Sequence, residues 1–109
     1  MMYKVFCDGA SRSNPGEAAI GVSIEVDGKE IHTISRSIGI ASNNEAEYLA
    51  LDSALEYCLK NDFMNIEIFL DSKLVVEQVN GNFKVKSNNL KPLRDKILEH
   101  IEKLEFVSI

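Results

Sequence analysis

The sequence predicts one α/β domain whose mixed sheet joins an antiparallel three-strand meander to parallel strands. Runs rich in β-forming residues, separated by turn residues, fill the chain as far as Ile38. From Asn43 onward, segments with helical spacing alternate with short apolar segments typical of buried strands. The length of 109 residues, with 45% hydrophobic and 27% charged residues, suits a single compact domain and argues against a disordered or fibrous chain.

The first three strands are defined by apolar runs and the turns between them. Tyr3 to Cys7 reads as a strand that leads into a loop rich in turn residues. Ala18 to Val26 and Glu30 to Ile38 flank Asp27-Gly28, and Asp-Gly between two β-rich runs is a strong hairpin signal. We therefore expect these strands to form an antiparallel meander.

The rest of the chain begins with a long helix. Apolar residues recur at helical spacing from Asn43 to Lys60, with Ser42 or Asn43 as possible caps. The next predicted elements are a strand over Met64 to Leu70, a short helix over Ser72 to Val79, an amphipathic helix with Pro92 in its first turn, and a strand from Phe106 to Ile109. The apolar stripe of that last helix comprises Leu93, Ile97, Leu98, Ile101 and Leu104.

Two aspartates occupy matching positions at the predicted strand ends. Asp8 and Asp71 each follow a phenylalanine by two residues, so each shares a sheet face with that ring. If the intervening helix makes a right-handed crossover, the two strands run parallel and both carboxylates emerge at one edge of the sheet.

A third carboxylate, Glu47, is predicted to face inward from the long helix. It shares a helical stripe with Leu51, Ala54 and Cys58. The other acids of this helix, Glu45, Asp52 and Glu56, are predicted on the opposite, solvated side. Taken singly, each of the three candidate acids could be a turn residue or an acid favoured by the helix dipole. Together, the three carboxylates would repel one another unless cations were bound. A ligand set of oxygen atoms alone favours Mg²⁺ or Mn²⁺.

Charge and cysteine content limit the remaining function classes. Seventeen acidic and twelve basic residues give a formal charge of −5, so binding of nucleic acid requires cations or a local basic patch. A weak candidate for such a patch is formed by Lys84, Lys86 and Lys91 around Phe83. Neither histidine is a persuasive ligand or base, since His32 lies on a predicted edge strand and His100 on a predicted polar helix face. Cys7 and Cys58 are interpreted as small buried hydrophobic residues. Without a signal-like start or a long apolar run, we expect a cytoplasmic protein with no membrane partner.

Three motifs, in this order, resemble the type 1 ribonucleases H. They are Asp8-Gly9-Ala10-Ser11 followed by Asn14-Pro15-Gly16, then Asn43-Asn44-Glu45-Ala46-Glu47-Tyr48, and then Asp71-Ser72-Lys73-Leu74-Val75-Val76. The resemblance covers nearly the whole chain and is greatest to the compact bacterial and archaeal members. It implies a ribonuclease H-like fold, a five-stranded mixed sheet with helices on both faces.

The resemblance also implies an activity, the hydrolysis of the RNA strand of RNA/DNA hybrids. Asp8, Glu47 and Asp71 match the family's catalytic acids, which hold two Mg²⁺ or Mn²⁺ ions about 3.5 to 4 Å apart, one activating water and the other stabilising the leaving 3′ oxygen. The positions matched to nucleic-acid binding are Gly9, Asn14, Ser42, Asn43, Asn44 and Ser72. Among them, the asparagines could read the 2′-hydroxyl and minor-groove edges, and Ser42 could hold a phosphate of the DNA strand.

The chain departs from the family pattern near its end. The family's fourth metal-site Asp and a His-bearing loop follow its last strand, and the 109 residues contain no counterpart of either. We therefore expect a single domain over residues 1–109 without the final C-terminal segment, and slow cleavage that prefers Mn²⁺. The expected state is a monomer, with self-association possible through the exposed last strand.

Several alternatives to the nuclease remain open at this point. A catalytically weak or inactive hybrid-binding module is the main one. A glycosidase is disfavoured because the chain has no Trp to line a sugar cleft, and other nucleases and transposases of the same fold remain possible.

Overall fold

The computed structural model describes residues 1–109 as five strands and three helices. The strands are β1 Tyr3–Ser11, β2 Gly16–Val26, β3 Lys29–Ala41, β4 Asn65–Leu70 and β5 Phe106–Ser108. The helices are α1 Asn43–Lys60, α2 Lys73–Val79 and α3 Lys91–Glu102. The chain therefore contains every element that the sequence predicts, in the predicted order.

The five strands form one mixed sheet in the order β3-β2-β1-β4-β5. β1, β2 and β3 pair antiparallel, which confirms the predicted meander. At the hairpin turn, Asp27 and Gly28 both have positive φ angles, of 51° and 77°, as a two-residue turn of the mirror-image type requires. β4 pairs with β1 and β5 pairs with β4 in parallel, so the predicted α/β fold class is confirmed.

The core lies between one face of the sheet and the helices. Val5 and Cys7 of β1 alternate with exposed neighbours and pack with α1 residues that are fully buried, including Leu51 and Cys58. Burial raises the pKa of the Cys7 thiol to about 12 and that of the Cys58 thiol to about 11, so both remain protonated at neutral pH. The interpretation of both cysteines as buried hydrophobic residues is confirmed.

The other face of the sheet is not covered by a helix. Phe6 and Phe69 lie on it with 37% and 41% of their surface exposed, and their rings stack with centroids 4.8 Å apart. In this respect the structure differs from the expectation of helices on both faces. The apolar positions of the strands alternate toward a single side, and within the 109 residues all three helices belong to the layer on that side.

The predicted environments of three helical side chains were wrong. Asp52, predicted to be solvated, is buried because α3 packs over its side of α1, and His100 of α3 is mostly buried against it rather than on a polar face. Leu98, predicted in the apolar stripe of α3, is exposed because it lies one residue, and so about 100° around the helix, from the buried Ile97. All three errors concern which side of a helix meets its neighbour.

None of the three helices is both long enough and apolar enough to cross a membrane.

Candidate active site

Asp8 and Asp71 lie side by side where the parallel pairing of β1 and β4 ends. The last paired residues are Cys7 and Leu70, one residue before each aspartate. Both aspartates line a single open groove on the uncovered face of the sheet, beside the stacked Phe6 and Phe69 rings. One boundary differs from the prediction, since β1 continues past Asp8 to Ser11 because residues 8–11 pair with β2.

Glu47 reaches the same end of the sheet from the first turns of α1. Its side chain is inward, as predicted, with the residue only 8% exposed. The backbone N–H of Gly9 donates a hydrogen bond of 2.6 Å to Glu47 Oε1. A Cβ atom at Gly9 would collide with the backbone of Ala46, so glycine permits the close approach of β1 to α1 that this hydrogen bond needs.

The pKa of Glu47 reflects its burial and the nearness of the other two acids. Burial is the largest cause that raises the pKa of Glu47 above its ordinary value, and the Gly9 hydrogen bond opposes it. The charge and a hydrogen bond of Asp8 raise the pKa further, and so does the charge of Asp71. The structure thus brings the three carboxylates together at a point where added positive charge would be favourable.

Two asparagines lie at the junction of β1, the following loop and α1. The backbone N–H of Ser11 donates to Asn43 Oδ1 at 2.9 Å, and the backbone N–H of Asn43 donates to Asn14 Oδ1 at 3.1 Å. Because backbone donors occupy both amide oxygens, each side-chain NH₂ group remains as a donor for a ligand. The Asn43 side chain therefore does not cap α1, and of its two predicted roles, helix cap or nucleic-acid contact, only the second is left.

Ser42 caps α1 through a reciprocal pair of hydrogen bonds with Glu45. The Glu45 N–H donates to Ser42 Oγ at 3.1 Å, and the Ser42 N–H donates to Glu45 Oε1 at 2.9 Å. Ser72 similarly caps α2 by accepting the Val75 N–H at 3.2 Å, directly after Asp71. Both serines therefore stabilise the start of a helix, whether or not a ligand is bound.

A polar groove runs from the loop after β1 past the start of α1. The side chains that line it are those of Asn14, Ser42, Asn44, Glu45, Ser87 and Asn89, with Pro15 and Leu90 beside them. The sequence did not identify Ser87 and Asn89 as groove residues, because the polar run 87–89 before α3 indicates only a helix boundary. The loop that carries the exposed Phe83, Lys84 and Lys86 lies between α2 and α3.

Comparison with known proteins identifies relatives for nearly the whole chain. The family profile described as reverse transcriptase-like matches residues 6–109. Ribonuclease HI of Halobacterium salinarum is 42% identical over 90 residues, which is 82% of this chain and 45% of that protein. Ribonuclease H of Wigglesworthia glossinidia brevipalpis is 36% identical over 110 residues, which is 96% of this chain and 68% of that protein. The chain thus spans less than half the length of the halobacterial relative.

Solved structures agree with these sequence relatives. The crystal structure of RNase H1 from Halobacterium salinarum matches with a TM-score of 0.96 and 36% identity, over 100% of this chain and 83% of that chain. LC11-RNase H1, solved in complex with an RNA/DNA hybrid, matches with a TM-score of 0.89 and 37% identity, over 96% of this chain and 80% of that chain.

Proposed function

The chain belongs to the ribonuclease H family, and from that premise we propose that it is an enzyme that hydrolyses the RNA strand of RNA/DNA hybrids. The observation that carries the proposal is the meeting of Asp8, Glu47 and Asp71 at one end of the sheet. The LC11 relative, crystallised with a hybrid, supports the substrate class. Two unpaired cysteines are compatible with a reducing compartment, and we place the reaction in the cytoplasm.

The three carboxylates fit Mg²⁺ or Mn²⁺, and we assign two ions to them. The donor set is oxygen-only, as these hard cations prefer, and a cation would offset the burial and the neighbouring charges of Asp8 and Asp71 that raise the pKa of Glu47. When bound, such ions neutralise charge at a phosphodiester and make water more acidic. The protein's own contribution is geometric, because the Gly9 N–H holds one oxygen of Glu47 in place and β1 and β4 hold the two aspartates side by side.

The asparagines and the polar groove account for substrate binding in this proposal. With their oxygens engaged by backbone N–H groups, Asn14 and Asn43 present donors suited to acceptor atoms, such as the 2′-hydroxyl oxygen and the minor-groove edges of bases. Asn44, which lines the polar groove together with Asn14, adds a third amide of this kind, and Ser42 in the same groove suits a phosphate of the DNA strand. Gly9 and Ser72 adjoin two of the acids, where backbone groups can contact the RNA strand. Recognition of this kind selects a hybrid rather than a base sequence.

The cleavage proposal is tested with end-labelled duplexes and the purified 109-residue chain. We expect cleavage of the RNA strand of an RNA/DNA hybrid in Mg²⁺ or Mn²⁺, none in excess chelator, and none of a DNA duplex of the same sequence. Cleavage that persists in chelator would contradict the metal-dependent chemistry. Binding of the hybrid without cleavage in either ion would instead favour the noncatalytic hybrid-binding module.

The donor role of Asn43 is tested by replacing it with aspartate. Asn43→Asp keeps an oxygen for the Ser11 N–H, and a carboxylate suits the first turn of a helix, so we expect an intact fold. The variant loses the NH₂ donor and gains a negative charge. Hybrid affinity, measured in chelator by fluorescence anisotropy, should fall about tenfold or more.

The matched control for this variant is Asn61→Asp, which adds the same charge at the other end of α1. Its affinity for the hybrid should remain within about twofold of the wild-type value, because an 18-residue helix separates it from the groove by about 27 Å. Equal losses in both variants would show that net charge, and not the Asn43 donor, controls binding.

A further inference from the structure

A second group of ionisable side chains bridges α1 and α3. Asp52 and Glu56 lie one turn apart on α1, and Lys96 and His100 lie one turn apart on α3. His100 Nε2 is 2.9 Å from Asp52 Oδ1, while Lys96 Nζ is 3.2 Å from Asp52 Oδ2 and 3.1 Å from Glu56 Oε1. An ammonium group thus already sits between two carboxylates, beside an imidazole nitrogen.

The group is enclosed by the packing of the two helices. The side chains of Asp52 and His100 are only 12% and 13% exposed, and the Nδ1 atom of His100 is buried without a hydrogen-bond partner. The ring is therefore held through Nε2 alone, which faces Asp52 at 2.9 Å and Glu56 Oε1 at 3.9 Å. Lys96, in contrast, is half exposed and can move into solvent.

We propose that Asp52, Glu56 and His100 bind a divalent transition-metal ion of the Zn²⁺ class in place of the Lys96 ammonium group. One ligand atom from each of the three side chains lies within 4.8 Å of the others. In a tetrahedral Zn²⁺ site with bonds of about 2.0 to 2.1 Å, ligand atoms are about 3.3 Å apart. The two distances from His100 Nε2, 2.9 and 3.9 Å, lie on either side of that value.

The ligand types distinguish this ion from those assigned to the three catalytic carboxylates. One imidazole with two carboxylates favours Zn²⁺ or Co²⁺, whereas oxygen-only sites favour Mg²⁺. The positions also differ, since Glu47 contacts Gly9 of β1 and Asp52 contacts α3. The ion would cross-link α1 to α3, and this inference does not depend on the proposed hydrolysis.

Zn²⁺ titration by calorimetry tests the site in an Asp8→Asn, Asp71→Asn background, which disables the other carboxylate cluster. We expect one Zn²⁺ per chain. His100→Gln, which keeps a donor for Asp52 but is a poor ligand, should weaken binding about tenfold or more. Lys96→Met removes the competing ammonium group and should strengthen binding about tenfold.

The control is His32→Gln, a change to the chain's other histidine, which stacks on Tyr57. It should leave Zn²⁺ affinity unchanged. Thermal unfolding in the same Asp8→Asn, Asp71→Asn background gives a second readout, since Zn²⁺ should raise the melting temperature of the background protein and of its His32→Gln variant but not of its His100→Gln variant. No Zn²⁺ binding in the background variant, or binding that neither His100→Gln nor Lys96→Met alters, would overturn the proposal.

Discussion

Replacing Glu47 with glutamine should reduce hybrid cleavage by about 100-fold or more while making the metal-free fold more stable at neutral pH. Activity falls because the variant loses a carboxylate ligand for the proposed ions. Stability rises because glutamine retains an oxygen for the Gly9 N–H but removes a charge that is partly buried beside Asp8 and Asp71.

The stability gain should depend on pH in a defined direction. The pKa of Glu47 is raised above its ordinary value of 4.5, chiefly by burial, so the folded protein retains this proton at a pH where the unfolded chain has lost it. The free energy of unfolding therefore falls as pH rises from the ordinary pKa to the raised one, and then levels off. Glutamine has no such proton, so the advantage of Glu47→Gln should grow across that range.

Urea unfolding in chelator at several pH values measures this difference. Glu99→Gln is the matched control, because Glu99 is an exposed acid of α3 that makes none of the contacts at the site. Glu99→Gln should cleave the hybrid at the wild-type rate, and its free energy of unfolding should show no comparable pH-dependent gain. A Glu47→Gln variant that is active, or that is less stable than the wild type at neutral pH, would contradict the position assigned to this carboxylate.

Replacing Gly9 with alanine should destabilise the fold by about 3 kcal/mol and abolish cleavage. The added Cβ would collide with the carbonyl group of Ala46 and lie 2.6 Å from the Glu47 backbone nitrogen. Because those atoms belong to the helix backbone, relief requires β1 and α1 to separate, which costs as much as overpacking a core. Separation also breaks the hydrogen bond that holds Glu47.

Gly21→Ala is the control for Gly9→Ala. Gly21 pairs with Asp8 on the neighbouring strand, but a Cβ there meets nothing within 4 Å. Its unfolding free energy should remain within about 1 kcal/mol of the wild-type value. If Gly9→Ala were as stable and as active as Gly21→Ala, the close approach of β1 to α1 would not be a requirement of the site.

The position of the three acids was predictable because it depends on local periodicity and on one rule of topology. The period of a helix places Glu47 on the same side as Leu51 and Cys58, and the structure buries all three. The matching Phe and Asp spacings identify two strands in register, and the parallel pairing of β1 with β4 ends one residue before each aspartate.

Features that depend on contacts distant in sequence were not predictable in this way. The environment of Asp52 depends on how α3 packs against α1, and the two partners Asp52 and His100 lie 48 residues apart. The extension of β1 beyond Cys7 likewise depends on pairing with β2, although the sequence predicts a loop after that residue. Local pattern determines which residues face inward, whereas packing determines which residues they meet.

The most direct test of the proposed function compares the wild-type chain with Asp8→Asn on one labelled hybrid, with binding measured in parallel. We predict that the wild type cleaves the RNA strand in Mg²⁺ or Mn²⁺, and that Asp8→Asn binds the hybrid but cleaves it at least about 100-fold more slowly. Equal cleavage by the two proteins would contradict the assignment of the reaction to these three carboxylates.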